Sequence, residues 1–221
     1  MVIVTAYFDK EASRKVFFAL TSSDLKLNLR YFNANQRNRK RQRPSGNFDL
    51  DYYMGEGDGF YLYSEVASIY FCYKDGFYKL RADFSLKVPS NTYSLLFKKI
   101  SRISGVSFAF CCDRDELVHR NRVSNQTDSQ VRTKWIGLDP NKLIPGIYWK
   151  TYISNQLLSV HKVHCRHLSL IPSFDTKENE NGILISAFPI FSDWKRFQKL
   201  IDEVLYRNQG FFSKIRFNEM C

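Results

Sequence analysis

Apolar positions along the chain change period several times, and each change marks an element. Val2 to Phe8 (VIVTAYF) reads as a first strand. Asp9 then caps a short helix in which Ser13, Val16, Phe17 and Leu20 recur every three or four residues. The period drops to two where Leu25, Leu27, Leu29 and Tyr31 alternate with Lys26, Asn28 and Arg30, which predicts a strand with one apolar face. After Phe48 to Tyr53 and a turn studded with Gly55, Gly57 and Gly59, the stretches FYLYSE and ASIYFCY, the Lys74-Asp75-Gly76 turn and a strand near Tyr78 to Leu86 predict an antiparallel meander. A helix capped by Ser90 comes next, carrying Tyr93, Leu96, Phe97, Ile100 and Ile103 on one stripe while Lys98 and Lys99 face away, and it leads into the strand VSFAF.

Farther on, Ile147, Tyr148, Tyr152, Leu157 and Leu158 predict a helix from about Gly146 to Val160. Strands at His167 to Phe174 and Ile183 to Pro189 flank the polar turn DTKENENG as a hairpin. The best-formed helix starts at Ser192 and carries Trp194, Phe197, Leu200, Ile201, Val204 and Leu205 on one face. Two stretches fit no period. Residues 33–47 are almost entirely Asn, Gln, Arg and Lys closed by Pro-Ser-Gly, which predicts a long exposed loop. Residues 113–134 are polar and charged in both signs, which predicts an excursion over the surface, disordered in part. Strands in neighbouring runs rather than strict alternation with helices predict an α+β fold, a largely antiparallel sheet with three to four helices packed on it and a long basic surface loop.

Composition sharpens this picture in three ways. With 221 residues and 44% of them hydrophobic, the chain is expected to form a single domain over 1–221, and 19 Phe and 13 Tyr make its core one of flat rings. The longest apolar run, Val106 to Cys112, is far shorter than the roughly 20 residues of a membrane helix. Val2 to Tyr7 lacks a basic flank and meets Asp9, Lys10 and Glu11 at once, so no membrane span or export signal is expected and the cytoplasm is the expected compartment. The net charge is +11, and seven basic residues with no acidic one (Lys26, Arg30, Arg37, Arg39, Lys40, Arg41, Arg43) fall between 25 and 48, so the basicity is largely local.

Candidate chemistry is sparse. The Gly55-x-Gly57-x-Gly59 spacing opens onto a strand rather than a helix amino end, so it reads as a turn and not a phosphate cradle. His161, His164, Cys165 and His167 have zinc chemistry but no second ligand pair, and they read as basic residues closing a helix carboxyl end. Five cysteines at 72, 111, 112, 165 and 221 have no disulfide spacing and read as reduced thiols. Alternation sends Cys111 and Cys112 to opposite faces, which makes at least one a core residue rather than a nucleophile. Acidic pairs such as Asp49 with Asp51, or Asp113 with Asp115 and Glu116, read as solvated loop charges. No catalytic residue, metal or cofactor is therefore expected. The run Arg37, Arg39, Lys40, Arg41, Arg43 is the strongest mark: it suits phosphates, with tyrosines available for stacking, it equally suits an acidic protein surface, and it also reads as a solvated loop that keeps the protein soluble.

The second half has an order of features with a parallel elsewhere. LRADFSLKVPSNTYSLLFKKIS leads to VSFAFCCD, a polar excursion, Ile144-Pro145-Gly146-Ile147-Tyr148-Trp149, GILISAFP and a helix opening at Ser192-Asp193-Trp194. Over roughly residues 60 to 205 this resembles bacterial immunity proteins of polymorphic-toxin and type VI secretion systems, whose members carry a similar Pro-Gly-x-Tyr-Trp segment. The basic loop and the 113–134 stretch have no counterpart in that group. The resemblance implies structural roles for Pro145, Gly146, Tyr148, Trp149 and Trp194, no catalysis, and one-to-one inhibition of a cognate toxin. Its candidate contacts are Arg37, Arg39, Lys40, Arg41 and Arg43 in the loop, Tyr52, Tyr53, Tyr61 and Tyr63 as aromatic anchors, and Glu56 and Asp58 in the glycine turn. Complementarity to a basic chain implies a toxin with an acidic contact surface. A nucleic-acid-binding module is the alternative.

Overall fold

The computed structural model describes residues 1–33, 43–44, 49–55, 59–74, 76–127, 130–135, 140, 144, 146–163, 168 and 175–207. It is an α+β protein. Its strands are β1 (Val2–Phe8), β2 (Tyr31–Asn33), β3 (Arg43–Pro44), β4 (Phe60–Tyr63), β5 (Ala67–Lys74), β6 (Phe77–Phe84), β7 (Val106–Asp113), β8 (Arg122–Thr127), β9 (Gln130–Trp135), β10 (Lys150–Ser154), β11 (Asp175–Asn179) and β12 (Gly182–Ser186). Its helices are α1 (Lys10–Thr21), α2 (Leu50–Gly55), α3 (Ser90–Ile100), α4 (Arg114–Asn121), α5 (Asn155–Val160) and α6 (Trp194–Arg207). Ten strands form one open sheet in the order β11-β12-β10-β7-β1-β6-β5-β4-β2-β3, while β8 and β9 pair separately.

Every residue of β1 is buried, which is why VIVTAYF shows no alternation: both faces of this central strand are covered. β1 pairs antiparallel with β6 on one side and β7 on the other. Val2, Val4, Ala6 and Phe8 share a first face with Phe84, Ala82, Leu80 and Tyr78 of β6, and that face continues through Ala67, Ile69 and Phe71 of β5 to Leu62 and Phe60 of β4. α1 and α3 cover it. Phe17 of α1 meets Phe60 and Phe71 at ring separations of 6.5 and 6.0 Å, and Tyr93 of α3 meets Phe84 at 6.3 Å. On the second face Ile3 and Thr5 lie beside Cys112 and Phe110, and Tyr148 stacks on Phe110 at 4.1 Å.

The caps explain where helices start. The Asp9 carboxylate accepts from the Ala12 amide at 2.8 Å, as its place before α1 predicts. Asp49 does the same for α2, accepting from the amides of Asp51 at 3.0 Å and Tyr52 at 3.2 Å, in a stretch to which the sequence pattern assigned no helix. Pro89, not Ser90, occupies the cap position of α3, and a 3-10 turn over Phe191–Asp193 precedes α6 where Ser192 was the expected cap.

Three expectations are corrected. Residues 25–31 do not form a strand: a 3-10 turn spans Ser23–Leu25, Lys26 and Asn28 have positive φ of 51° and 50°, and extended pairing begins only at Tyr31. Leu25 and Leu27 are still buried, so alternating burial survives without a ladder. The expected helix over 146–160 is a strand, β10, followed by α5. The Ser154 hydroxyl accepts from the Leu157 amide at 3.1 Å, starting the helix well after the position the pattern implied. The polar stretch from Asp175 forms edge strand β11, paired residue for residue with β12, because an edge strand with one solvated face tolerates charge. Of the expected strand at 167–174 only Leu168 is described, and it is buried and helical rather than extended.

Much of the 113–134 stretch is regular structure, and its first part packs inward. It makes α4 and then the β8–β9 ribbon, and Glu116, Leu117, Arg120 and Asn121 of α4 are buried. Cys111 and Cys112 are both fully buried unbridged thiols, and Cys72 is likewise unbridged.

At Gly59, which has φ +124°, a Cβ would fall 2.0 Å from the Phe71 carbonyl oxygen across the β4–β5 ladder. Gly59→Ala is expected to cost about 2 kcal/mol or more, read as a lower urea midpoint at unchanged slope in circular dichroism.

Candidate partner-binding face

Alternation along β4 sends Phe60 and Leu62 into the core and Tyr61 and Tyr63 to the opposite face. Strand register then builds rows on that second face: Asn33, Tyr61, Tyr70 and Arg81 in one, Tyr31, Tyr63, Ser68 and Asp83 in the next. Tyr61 stacks on Tyr70 with ring centroids 4.4 Å apart and on Tyr63 at 6.1 Å. Cations border the rings. Arg81 pairs with Asp83 at 2.8 Å, and the Lys79 ammonium sits 5.2 Å over the Tyr7 ring, which meets Phe77 edge-on at 6.2 Å. Because α1 and α3 occupy the other face, this one stays partly open: Tyr61, Tyr70, Phe77, Lys79 and Arg81 are half-buried, and Tyr31 is 45% exposed. Burial, with Cys72 and Tyr61 adding to it, pushes the Tyr70 phenol well above its ordinary value, so the hydroxyl stays neutral.

The basic loop attaches at the edge of this face. The chain leaves the sheet after Asn33 and returns as β3, where Arg43 pairs with Phe32 and Pro44 with Tyr31. Arg37, Arg39, Lys40 and Arg41 belong to that connection, outside the described residues, as do Glu56, Asp58 and Pro145 elsewhere in the chain. The two predicted tyrosines of α2 part company. Tyr53 packs on Phe32 at 5.5 Å and Phe60 at 6.2 Å as part of the first face, while Tyr52 is 55% exposed beside it. An Arg14–Asp51 pair at 2.6 Å ties α2 to α1. Arg43, Tyr52, Tyr53, Tyr61 and Tyr63 therefore gather at one end of the sheet, but on two faces. Sequence reasoning passed over Tyr70, Lys79 and Arg81. Their signal is period two in ASIYFCYK and FYKLRADF, legible only once the register sets them beside Tyr61.

Gly146, Tyr148, Trp149 and Trp194 belong to the interior. Trp149 meets Tyr93 edge-on at 6.1 Å, and Trp194 packs on His119 at 5.6 Å. Beneath them lies a polar network. Arg120 donates to Glu116 Oε1 at 3.2 Å and to Asp202 Oδ1 of α6 at 3.2 Å, and His119 Nε2 lies 3.3 Å from Asp202 Oδ2. The Arg120 guanidinium is 6.0 Å from the Tyr148 ring centre, and Asn121 donates to the Tyr148 hydroxyl at 3.2 Å. These charges face one another and latch α4 to α6. Burial pushes the Glu116 carboxyl up to about 7, against the opposing pull of Arg120 and of the Trp149 and Asp113 amides. Burial also raises the Cys111 and Cys112 thiols, so neither supplies a thiolate at neutral pH. Among the described residues no group of three or more His, Cys, Asp and Glu is placed to hold a metal ion. His161 Nε2 lies 2.9 Å from the Pro140 carbonyl oxygen, and His164, Cys165 and His167 are outside the described residues.

No protein-family model matches the chain, and no curated protein matches it. The chain is similar in fold to the Pseudomonas aeruginosa T6SS protein PA0821. The two superpose with a TM-score of 0.53 over 86% of this chain and 69% of that one, at 15% identity, a likeness of fold alone.

A carboxyl raised from 4.5 to about 7 binds a proton in the folded state that the unfolded chain has released, so its contribution to stability falls as pH rises across that window. Glu116→Gln removes the effect. Relative to the parent protein, the variant is expected to gain on the order of 2 kcal/mol between pH 5 and pH 8, read from urea midpoints at both.

Proposed function

We propose that this chain is an immunity protein that binds a cognate secreted toxin domain one to one and neutralises it by occupying its surface, with no chemistry of its own, in the cytoplasm of the cell that makes the toxin. The observation that carries the proposal is the half-open second face of the sheet, where stacked tyrosines and bordering cations sit at the root of a basic loop. Large rigid rings that lose little entropy on binding, ringed by polar groups, are the composition of binding hot spots. The fold shared with a protein named for T6SS supports a place in type VI secretion, and the Pro-Gly-x-Tyr-Trp resemblance supports the immunity role within it. Among the described residues no helix is long and apolar enough to cross a membrane.

Charge selects the partner. A chain at +11 with Arg37, Arg39, Lys40, Arg41 and Arg43 in one run complements an acidic toxin surface, and it fits a nuclease with a basic cleft poorly. A single-stranded nucleic acid is the second reading, because aromatic rings beside a basic loop are also the parts of such a site. The two differ in salt dependence: phosphate contacts release counterions and weaken steeply with salt, whereas a complex anchored by buried rings persists.

Tagged protein captured from its host after nuclease treatment and a high-salt wash is expected to retain one protein in equal amount, whose toxicity this chain relieves. Recovery of nothing after nuclease, with nucleic acid present before it, would move the weight to the second reading. With the partner in hand, Tyr31→Ala and Tyr70→Ala are each expected to weaken the complex roughly 30-fold by calorimetry, while Arg37→Ser with Arg39→Ser and Arg41→Ser mainly slows association at low salt.

A further inference from the structure

The opposite edge of the sheet carries a second surface, independent of the tyrosine face. Beyond α3 the first face of the sheet continues over β10, β12 and β11, and a groove of about 500 Å³ runs between that helix and these strands. Its floor is Leu95 and Leu184, with Ser94, Ser186, Asn91 and Asn179 along its sides. Four cations line it: Lys98 in the last turn of α3, Arg102 in the turn just beyond that helix, Lys150 on β10 and Lys177 on β11. Register places Lys150 beside Ser186, and Lys177 beside Leu184, on this same face. Glu178 is the one acid among the described lining residues, and alternation from Lys177 turns its side chain toward the other face. Lys98, Arg102 and Lys150 make no salt bridge among the described residues, and Lys177 reaches only Asp175, at 3.9 Å with both side chains exposed.

We infer that this groove is a docking site for an extended acidic segment of a partner protein, its carboxylates on the four cations and one or two apolar side chains over Leu95 and Leu184. The distribution of charge favours a segment over a single phosphate. The cations come from a helix end and from two strands that are not neighbours; with β12 between them, Lys150 and Lys177 stand two strand spacings apart, about 10 Å, too far for one small anion to bridge. The 11 residues of α3 rise about 16 Å, a length that about five residues of extended chain cover. The Ser94 and Ser186 hydroxyls and the Asn91 amide supply donors and acceptors for the backbone of such a segment, while Asn179 is held by the Ser101 carbonyl and the Asn181 and Gly182 amides.

The groove lies on the first face at β10, β12 and β11 and the tyrosines on the second face at β5 and β4, four strand spacings or about 20 Å away at the nearest, so one flat standard interface does not cover both. The inference does not rest on toxin neutralisation, and capture of a toxin and occupancy of the groove succeed or fail separately.

The test uses the full chain and a fluorescein-labelled peptide of about eight residues alternating Glu and Leu, followed by anisotropy. One-to-one binding is expected. The pair Lys98→Glu with Lys177→Glu, both at exposed positions, is expected to weaken it by at least about tenfold, while Arg37→Ser with Arg39→Ser and Arg41→Ser leaves it within about twofold. Absence of binding, or an equal loss in the loop variant, would overturn the inference, since the first denies the site and the second reduces it to general attraction by a basic chain. Inorganic pyrophosphate in the same format is the third arm. If it binds in a manner abolished by the charge-reversed pair while the peptide does not bind, the groove is a small-anion site and the inference fails.

Discussion

The burial of β1 between two antiparallel neighbours is the constraint on which the remaining architecture depends. Its seven side chains cannot be covered by the first part of the chain alone, since β6 ends at Phe84 and β7 begins only at Val106. The strand is therefore the seam between two wings. One wing, β6-β5-β4-β2-β3, comes from the meander that precedes α3; the other, β7-β10-β12-β11, comes from the chain beyond that helix. A bulge between Tyr7 and Phe8 ends the regular pairing with β7, and there the Ser107 hydroxyl donates to the Tyr7 carbonyl and the Asp9 amide to that of Gly105. That corner hands the chain directly to the Asp9 cap of α1.

Each wing then solves the problem of a two-faced sheet differently. Aromatic rings of α1 and α3 fill the first face near the centre, and Tyr148 with α4 fills the second face on the β7 side. The surfaces that the helices leave uncovered lie at the two ends. On the meander wing it is the second face, where tyrosines cover one another by stacking and stay half-open to water. On the far wing it is the first face beyond α3, floored by leucines and bordered by lysines. Among the described residues, the helices cover less than the whole of the ten-stranded sheet, and the candidate surfaces lie where that cover stops.

The polar latch works in the opposite sense. Glu116, Arg120 and Asp202 are charges drawn into the interior, costly if single, and they persist because each accepts or donates within the cluster. They fasten α6, whose buried Trp194, Ile201 and Leu205 close the core. In the sequence Glu116 reads as a solvated loop charge and DELVHRN as part of a surface excursion. Its burial comes from Asp202, 82 residues away from Arg120, arriving to meet it.

Much of the fold was legible locally. Period two in FYLY and ASIYFCYK, period 3.6 around Leu96 and Ile201, and the Asp9 cap are properties of short stretches, and sterics and side-chain direction enforce them wherever the stretch lies. The α+β class and the antiparallel meander derive from those alone. Features decided by partners distant in sequence were not legible: the strand at Lys150–Ser154, whose apolar residues fit a helix equally well until β7 and β12 flank it; the charged edge strand from Asp175; and the burial of Glu116. The candidate site divides in the same way. Basic residues at 37–43 and tyrosines near the glycine turn stand out in the sequence, but register alone sets Tyr61 against Tyr70 and Tyr31 beside Tyr63, and packing alone sends Tyr53 inward while Tyr52 stays out. A sequence specifies which face of an element is apolar because the backbone period is local; which of two apolar faces receives a cover, and which charges are drawn under it, is settled only when the wings close on β1.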